Sequence, residues 1–149
     1  MTNNTFDLDD FLAFRNLSME EIRTRLSISE ENTEQNVGYE KLTQLTLFHN
    51  PNAHFGYFYF RDGKLVMLYV GDHEQVEQLD PKVLEEKLGG RGIRLRSRAG
   101  KRFNHYVYPD KGVAFSADSQ SVSFIEIFPP TSIEAYKADI YEEVPPFIK

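Results

Sequence analysis

The chain contains no cysteine, no tryptophan and no uncharged apolar run approaching the about 18 residues that a membrane-spanning helix needs. Without thiols there is no disulfide scaffold, no cysteine nucleophile, no Cys-ligated zinc and no thiolate-held iron–sulfur cluster. The zinc-protease pattern H-E-x-x-H and the nucleophile elbow G-x-S-x-G are also missing. The opening MTNNTFDLDD has neither the basic nor the apolar segment of a secretory signal, so a cytoplasmic protein with no membrane attachment is expected. No cofactor motif is present, and a non-catalytic protein is the expectation, the alternative being a small-ligand binder or enzyme with a pocket beside the sheet.

What remains is ordinary globular material. With 149 residues, 40% apolar and 27% charged, the chain is long enough for one well-buried core, and a single domain over 1–149 is expected. Residues 1–6 are polar and read as a frayed end. Leu8, Phe11 and Leu12 form the apolar stripe of a short helix between Asp7 and Arg15. Ser18 and Glu21 form a capping box, with Leu17 and Ile22 as its hydrophobic staple, for a helix running to Ser27. The acidic stretch Ser29–Gly38 is aperiodic and reads as an exposed loop.

From Lys41 the period becomes that of strands. Leu42–Phe48 leads through the turn-rich HNPNAH to Phe55–Arg61 and Lys64–Val70, and Asp62-Gly63 between the last two is a two-residue hairpin signal. The register implied opposes Arg61 to Lys64, Phe60 to Leu65, Tyr59 to Val66 and Phe58 to Met67, with both faces apolar, as for a central hairpin. Asp80-Pro81 opens a helix over Leu84 and Leu88 that Gly89-Gly90 closes. Four strands follow at Ile93–Arg98, Asn104–Tyr108, Val113–Ser116 and Val122–Phe128. Pro129-Pro130 then leads to a helix capped by Thr131 and Glu134 and striped by Ile133, Tyr136 and Ile140. In the tail, Phe147 and Ile148 are docking candidates.

The sum is an α+β fold, a mostly antiparallel sheet of about seven strands with three or four short helices mainly on one face. Residues 17–70 and 80–128 repeat the order helix then strands. LEEKLG (84–89), YVYPDKG (106–112) and Val122–Phe128 carry a resemblance to the tandem fold of the β-lactamase-inhibitory-protein family and of the small outer-membrane assembly lipoproteins. The resemblance implies a scaffold that binds proteins without catalysis and carries over no functional residue. The chain departs from both in lacking their disulfides or lipidated cysteine.

Charge is unevenly distributed. Between Lys87 and Pro109 lie seven basic residues and no acidic one, which leaves ten basic side chains against 23 acidic for the rest of a chain of net −6. Alternation over Ile93–Arg98 places Arg94, Arg96 and Arg98 on one strand face, and Lys101 and Arg102 follow. Guanidinium forks suit carboxylates and phosphates. Three readings are open: a solvated face paired to acids of Asp7–Asp10, Glu30–Glu34 or Glu142 and Glu143; an acidic protein partner; and nucleic acid, which the overall acidity disfavours. Tyr57 and Tyr59 are the second candidate surface, for an unidentified protein or for a second copy of the chain, with plain core as the simpler reading.

The remaining candidates are weaker. His49, His54, His73 and His105 match no ligand spacing, and Gly89-Gly90-Arg91-Gly92 follows a helix, so a C-cap explains it better than a phosphate loop. Glu126 falls within VSFIEIF, on one face with Val122 and Phe124, where a carboxylate is either paired to an arginine, exposed or raised in pKa.

Overall fold

A computed structural model describes residues 7–49 and 56–144, apart from the side chains of His73 and Glu74. The elements, in order, are α1 (Leu8–Ala13), α2 (Met19–Leu26), β1 (Thr33–Tyr39), β2 (Leu42–His49), β3 (Tyr57–Arg61), β4 (Lys64–Val70), the single turn α3 (His73–Val76), α4 (Pro81–Lys87), β5 (Ile93–Arg96), β6 (Asn104–Tyr108), β7 (Val113–Ala117), β8 (Val122–Ile127) and α5 (Ile133–Asp139). The fold is α+β. One open antiparallel sheet has the strand order β1-β2-β3-β4-β8-β7-β6-β5. Two four-stranded meanders therefore meet where β4 pairs with β8, and the β3–β4 hairpin lies near the centre. No helix among the described residues is long and apolar enough to cross a membrane.

Local chemistry sets most boundaries. Ser18 accepts from the Glu21 amide while Glu21 accepts from Ser18, and Ser27 closes α2 in the left-handed region. Asp80 caps α4 ahead of Pro81, and Asp62 (φ 52°) and Gly63 (φ 78°) make the expected tight turn. At α5 the cap is Ser132, whose hydroxyl accepts from the Ala135 amide, and not the expected Thr131; the helix starts one residue later than the box pattern implied.

Three further expectations are corrected. The stretch Ser29–Gly38 is not a loop: a short 3-10 turn at Glu30–Asn32 leads into edge strand β1, which brings the expected sheet of about seven strands to eight. A bulge at Val66 breaks the simple hairpin register, so that Phe60 opposes Leu65 but Tyr59 opposes Met67 and Phe58 opposes Leu68. One extra residue exchanges the faces of everything beyond it. A second irregularity, between Ser116 and Ala117, puts Val122 on the face opposite Phe124 and Glu126. The turn α3 was not foreseen. HNPNAH beyond His49, together with Phe55, residues 1–6, Phe147 and Ile148, lies outside the described residues.

The bulge gives the sheet two distinct apolar faces. On one, Phe58, Phe60, Leu65, Leu68 and Val70 pack beneath Phe11 and Phe14, Ile22 of α2 and Leu84 of α4. Each such buried side chain contributes about 1.5–3 kcal/mol. On the other, Leu45, Tyr59, Met67, Val107 and Phe128 pack with Tyr136, Ile140 and Tyr141 of α5 and its C-terminal extension. α5 and its extension lie beside the start of β2, where the Ile140 carbonyl accepts from the Lys41 amide, and on this face Tyr57 of β3 and Ile93 of β5 are each left 42% exposed.

Candidate functional site

Register places one lateral row across the second face: His49, Tyr57, Tyr69, Glu126, Ala114, Val107 and Ile93 oppose one another in turn. The two ends of the row are open and the middle is covered. Tyr57 is 42% exposed, its ring stacked on Tyr69 (centroids 6.2 Å, interplanar angle 24°) and met edge-on by His49 at 5.1 Å. Tyr59, in the next row, is buried under Tyr39 at 5.2 Å. Burial first, then the neighbouring Tyr57 and Tyr69, push the Tyr59 hydroxyl up to about 12. Burial likewise raises Tyr69. The Tyr59 and Tyr69 hydroxyls are therefore neutral at ordinary pH.

Glu126, at the centre of the row, is 1% exposed. The Tyr136 hydroxyl donates to its Oε1 at 2.6 Å, and the Tyr39 hydroxyl donates to its Oε2. Arg98 reaches Oε2 at 3.4 Å, donates to the Tyr39 hydroxyl at 2.7 Å and meets Glu40 at 3.4 Å. Its guanidinium sits 4.3 Å over the Phe124 ring and also faces Tyr39 and Tyr69. Ser97 donates to Ser116, Ser116 pairs with His105 Nδ1, and His105 Nε2 faces Tyr136 at 2.7 Å and Glu126 at 3.4 Å. Burial by itself would raise the Glu126 carboxyl, but hydrogen bonds from His105, Tyr136 and Tyr39 outweigh it and hold the pKa at about 2. Burial and the adjacent Glu126 push Tyr39 and Tyr136 well above the ordinary tyrosine value.

The chemistry available to this cluster is the fixing of charge. The crevice beside it, lined by Glu40, Arg96, Arg98, His105 and Tyr141, leaves no room for a water molecule. The network ties β1, the segment after β5, β6, β8 and α5 to a single carboxylate. Of the alternatives open at the sequence level for Glu126, pairing to an arginine is the one found.

The arginine strand does not form one surface. β5 ends at Arg96, because Ser97 turns inward to Ser116, and alternation fails beyond that point. Arg94 opposes Tyr106 and stands on the helix-covered face, exposed. Arg96 donates to the Val144 carbonyl at 3.3 Å and lies 4.0 Å from Glu143, one of the acids expected to pair with it. Arg98 crosses to Glu126. Lys101 is exposed, and Arg102 pairs with Asp118 at 3.5 Å while covering Phe103.

The two described histidine side chains, His49 and His105, have different partners. His49 pairs with Glu34, His105 is buried, and His54 and the His73 side chain lie outside the description. Among the described residues no group of three His, Asp or Glu is arranged to hold a metal. Gly89 and Gly90 close α4, their amides bonded to the Glu86 and Glu85 carbonyls. Sequence reasoning missed Tyr39 as a partner of Glu126, since it lay just past a stretch read as loop. Clefts of about 380 and 310 Å³ open on the helix-covered face, the first beside α1, where Arg15 donates to the Lys111 and Phe128 carbonyls. No protein-family model, curated protein or solved structure matches the chain.

Proposed function

We propose that the protein is a non-catalytic recognition module that binds another protein through the uncovered end of the second sheet face, centred on Tyr57 and Tyr69. The observation that carries this reading is the exposed Tyr57 ring stacked on Tyr69 in a row anchored by Glu126. Tyrosine supplies large contact area with little rotamer entropy to lose and a hydrogen-bonding tip. Here the supporting Tyr69 ring is flanked by Tyr39, Phe124 and the Arg98 guanidinium, which lowers the ordering cost of association. Glu34 shares the face through its pairing with Leu47 and favours a partner segment bearing Lys or Arg over phosphates. The two meanders support the tandem half-repeats 17–70 and 80–128 as the scaffold for this face.

Photocrosslinking tests it. With p-benzoylphenylalanine at position 57, the expected result in the native cell is a discrete heterologous adduct that is absent with the same group at exposed Val83 of α4. An adduct of twice the chain mass would identify a homodimer interface instead. Equal labelling at both positions, or none at 57, would contradict the reading.

A further inference from the structure

A second, independent feature lies on the opposite face of the sheet, at the cleft of about 310 Å³ between α4 and strands β6 and β7. α4 stops at Lys87, and the sheet surface past it is floored by half-buried Tyr106, backed by the buried Phe115 ring, with centroids 5.5 Å apart. Tyr108, also buried, packs behind it: its ring lies parallel to Phe115 (interplanar angle 9°), and its hydroxyl donates to the Gly90 carbonyl at 2.7 Å. The Tyr106 ring is thus an aromatic surface supported by fixed, buried rings.

Its walls are cationic in an acidic chain. Lys82, Arg91 and Arg102 line the cleft against two carboxylates, Glu85 and Asp118. Glu85 meets Arg91 at Nε, 3.4 Å away, and Asp118 meets Arg102 at Nε, 3.5 Å away. The terminal nitrogens of both guanidiniums have no ion-pair or hydrogen-bond partner among the described residues, while the pairing through Nε orients each fork. Arg94 stands on the same face through its pairing with Tyr106, and Asn104 adds an amide to the lining. The volume is at the lower end of the range for small-molecule sites, about 300–1,000 Å³.

We infer that this cleft binds a small planar aromatic anion, with the ring on Tyr106 and the anionic group, phosphate or carboxylate, between Arg91 and Arg102. Aromatic stacking and an arginine fork are each modest alone, and stacking contributes about 1–3 kcal/mol per base in nucleic-acid complexes. Together they select ligands that carry both features, as a nucleoside monophosphate or an aromatic carboxylate does. The site goes beyond the protein-binding reading and stands or falls separately, because it shares no residue with the Tyr57 face.

Amide NMR titration of the full chain tests it, with adenosine monophosphate, 4-hydroxybenzoate, adenosine and inorganic phosphate as separate probes. The expected result is saturable shifts confined to 81–91, 102–108 and 115–119 for the monophosphate or the benzoate, with whichever binds identifying the anion. Adenosine and phosphate alone should bind at least tenfold more weakly. Arg91→Gln/Arg102→Gln should lose at least tenfold, while Arg25→Gln, on α2, should not. Should the double variant unfold, the salt dependence of wild-type binding replaces it, and affinity should fall as salt rises. Absence of localised shifts at millimolar probe, equal binding of phosphate alone, or affinity indifferent both to the arginines and to salt would overturn the inference.

Discussion

Arg98 and Glu126 meet at 3.4 Å across 28 residues of sequence, the guanidinium keeping 32% of its surface and the carboxylate 1%. The pair joins the turn after β5 to the C-terminal part of β8, and Tyr39 bridges both partners from β1. Removing one member leaves the other desolvated without its counter-charge, at a cost of about 3–5 kcal/mol for a fully buried pair. Because Arg98 retains solvent contact, Arg98→Met is expected to cost less, about 2–4 kcal/mol. In urea melts, Glu126→Gln should be destabilising too, and the double variant should lose less than the two singles combined, with a coupling of about 1–3 kcal/mol. Additive losses would show that the two side chains act separately.

Stability should also depend on pH through Glu126. Its folded pKa of about 2 lies below the ordinary 4.5, so the stabilisation is fully present above 4.5 and is lost as pH falls toward 2. The depression corresponds to on the order of 3 kcal/mol. Urea midpoints measured between pH 6 and pH 2 should fall, and Glu126→Gln should flatten that decline. A decline of equal steepness in the variant would assign it to other carboxylates.

The start of α5 discriminates between two adjacent hydroxyls. Ser132→Ala should cost about 1 kcal/mol because its oxygen accepts from the Ala135 amide, whereas Thr131→Ala should be within about 0.5 kcal/mol of wild type. Thermal melts of the two variants decide it, and the reverse order would move the cap back to Thr131.

Two glycines with left-handed backbone should respond differently to alanine. Gly63 (φ 78°) has open space around an added Cβ, so Gly63→Ala should cost only the conformational term, about 1–2 kcal/mol. Gly112 (φ 68°) would drive a Cβ into the Phe128 carbonyl and the Arg15 guanidinium, which itself bonds that carbonyl. Gly112→Ala should therefore cost more than about 3 kcal/mol. Equal melting temperatures for the two variants would contradict the close packing at Gly112.

The elements legible in the sequence are those whose signal is local. The Ser18/Glu21 box, the Asp62-Gly63 turn and Asp80-Pro81 each satisfy orphan backbone groups within a few residues, and each appears where expected. β1 was not legible, because TEQNVGY is polar, bends through positive φ at Asn36 and has β2 as its one neighbouring strand. The Val66 bulge has no sequence mark, yet it decides that Tyr69 joins Tyr57 and Tyr59 on one face while Leu68 and Val70 join Phe58 on the other. An arginine partner for Glu126 was foreseeable as a type of interaction. That it is Arg98 depends on the strand ending at Arg96, which alternation does not encode.

The most direct test of the recognition face is the affinity of Tyr57 variants for the partner captured at position 57. Tyr57→Ala should weaken the complex at least tenfold while leaving the urea midpoint near wild type, because the ring is 42% exposed. Arg94→Glu, on the opposite face, should leave affinity unchanged. Undiminished binding by Tyr57→Ala, or a loss confined to Arg94→Glu, would contradict the assignment of the tyrosine face as the binding surface.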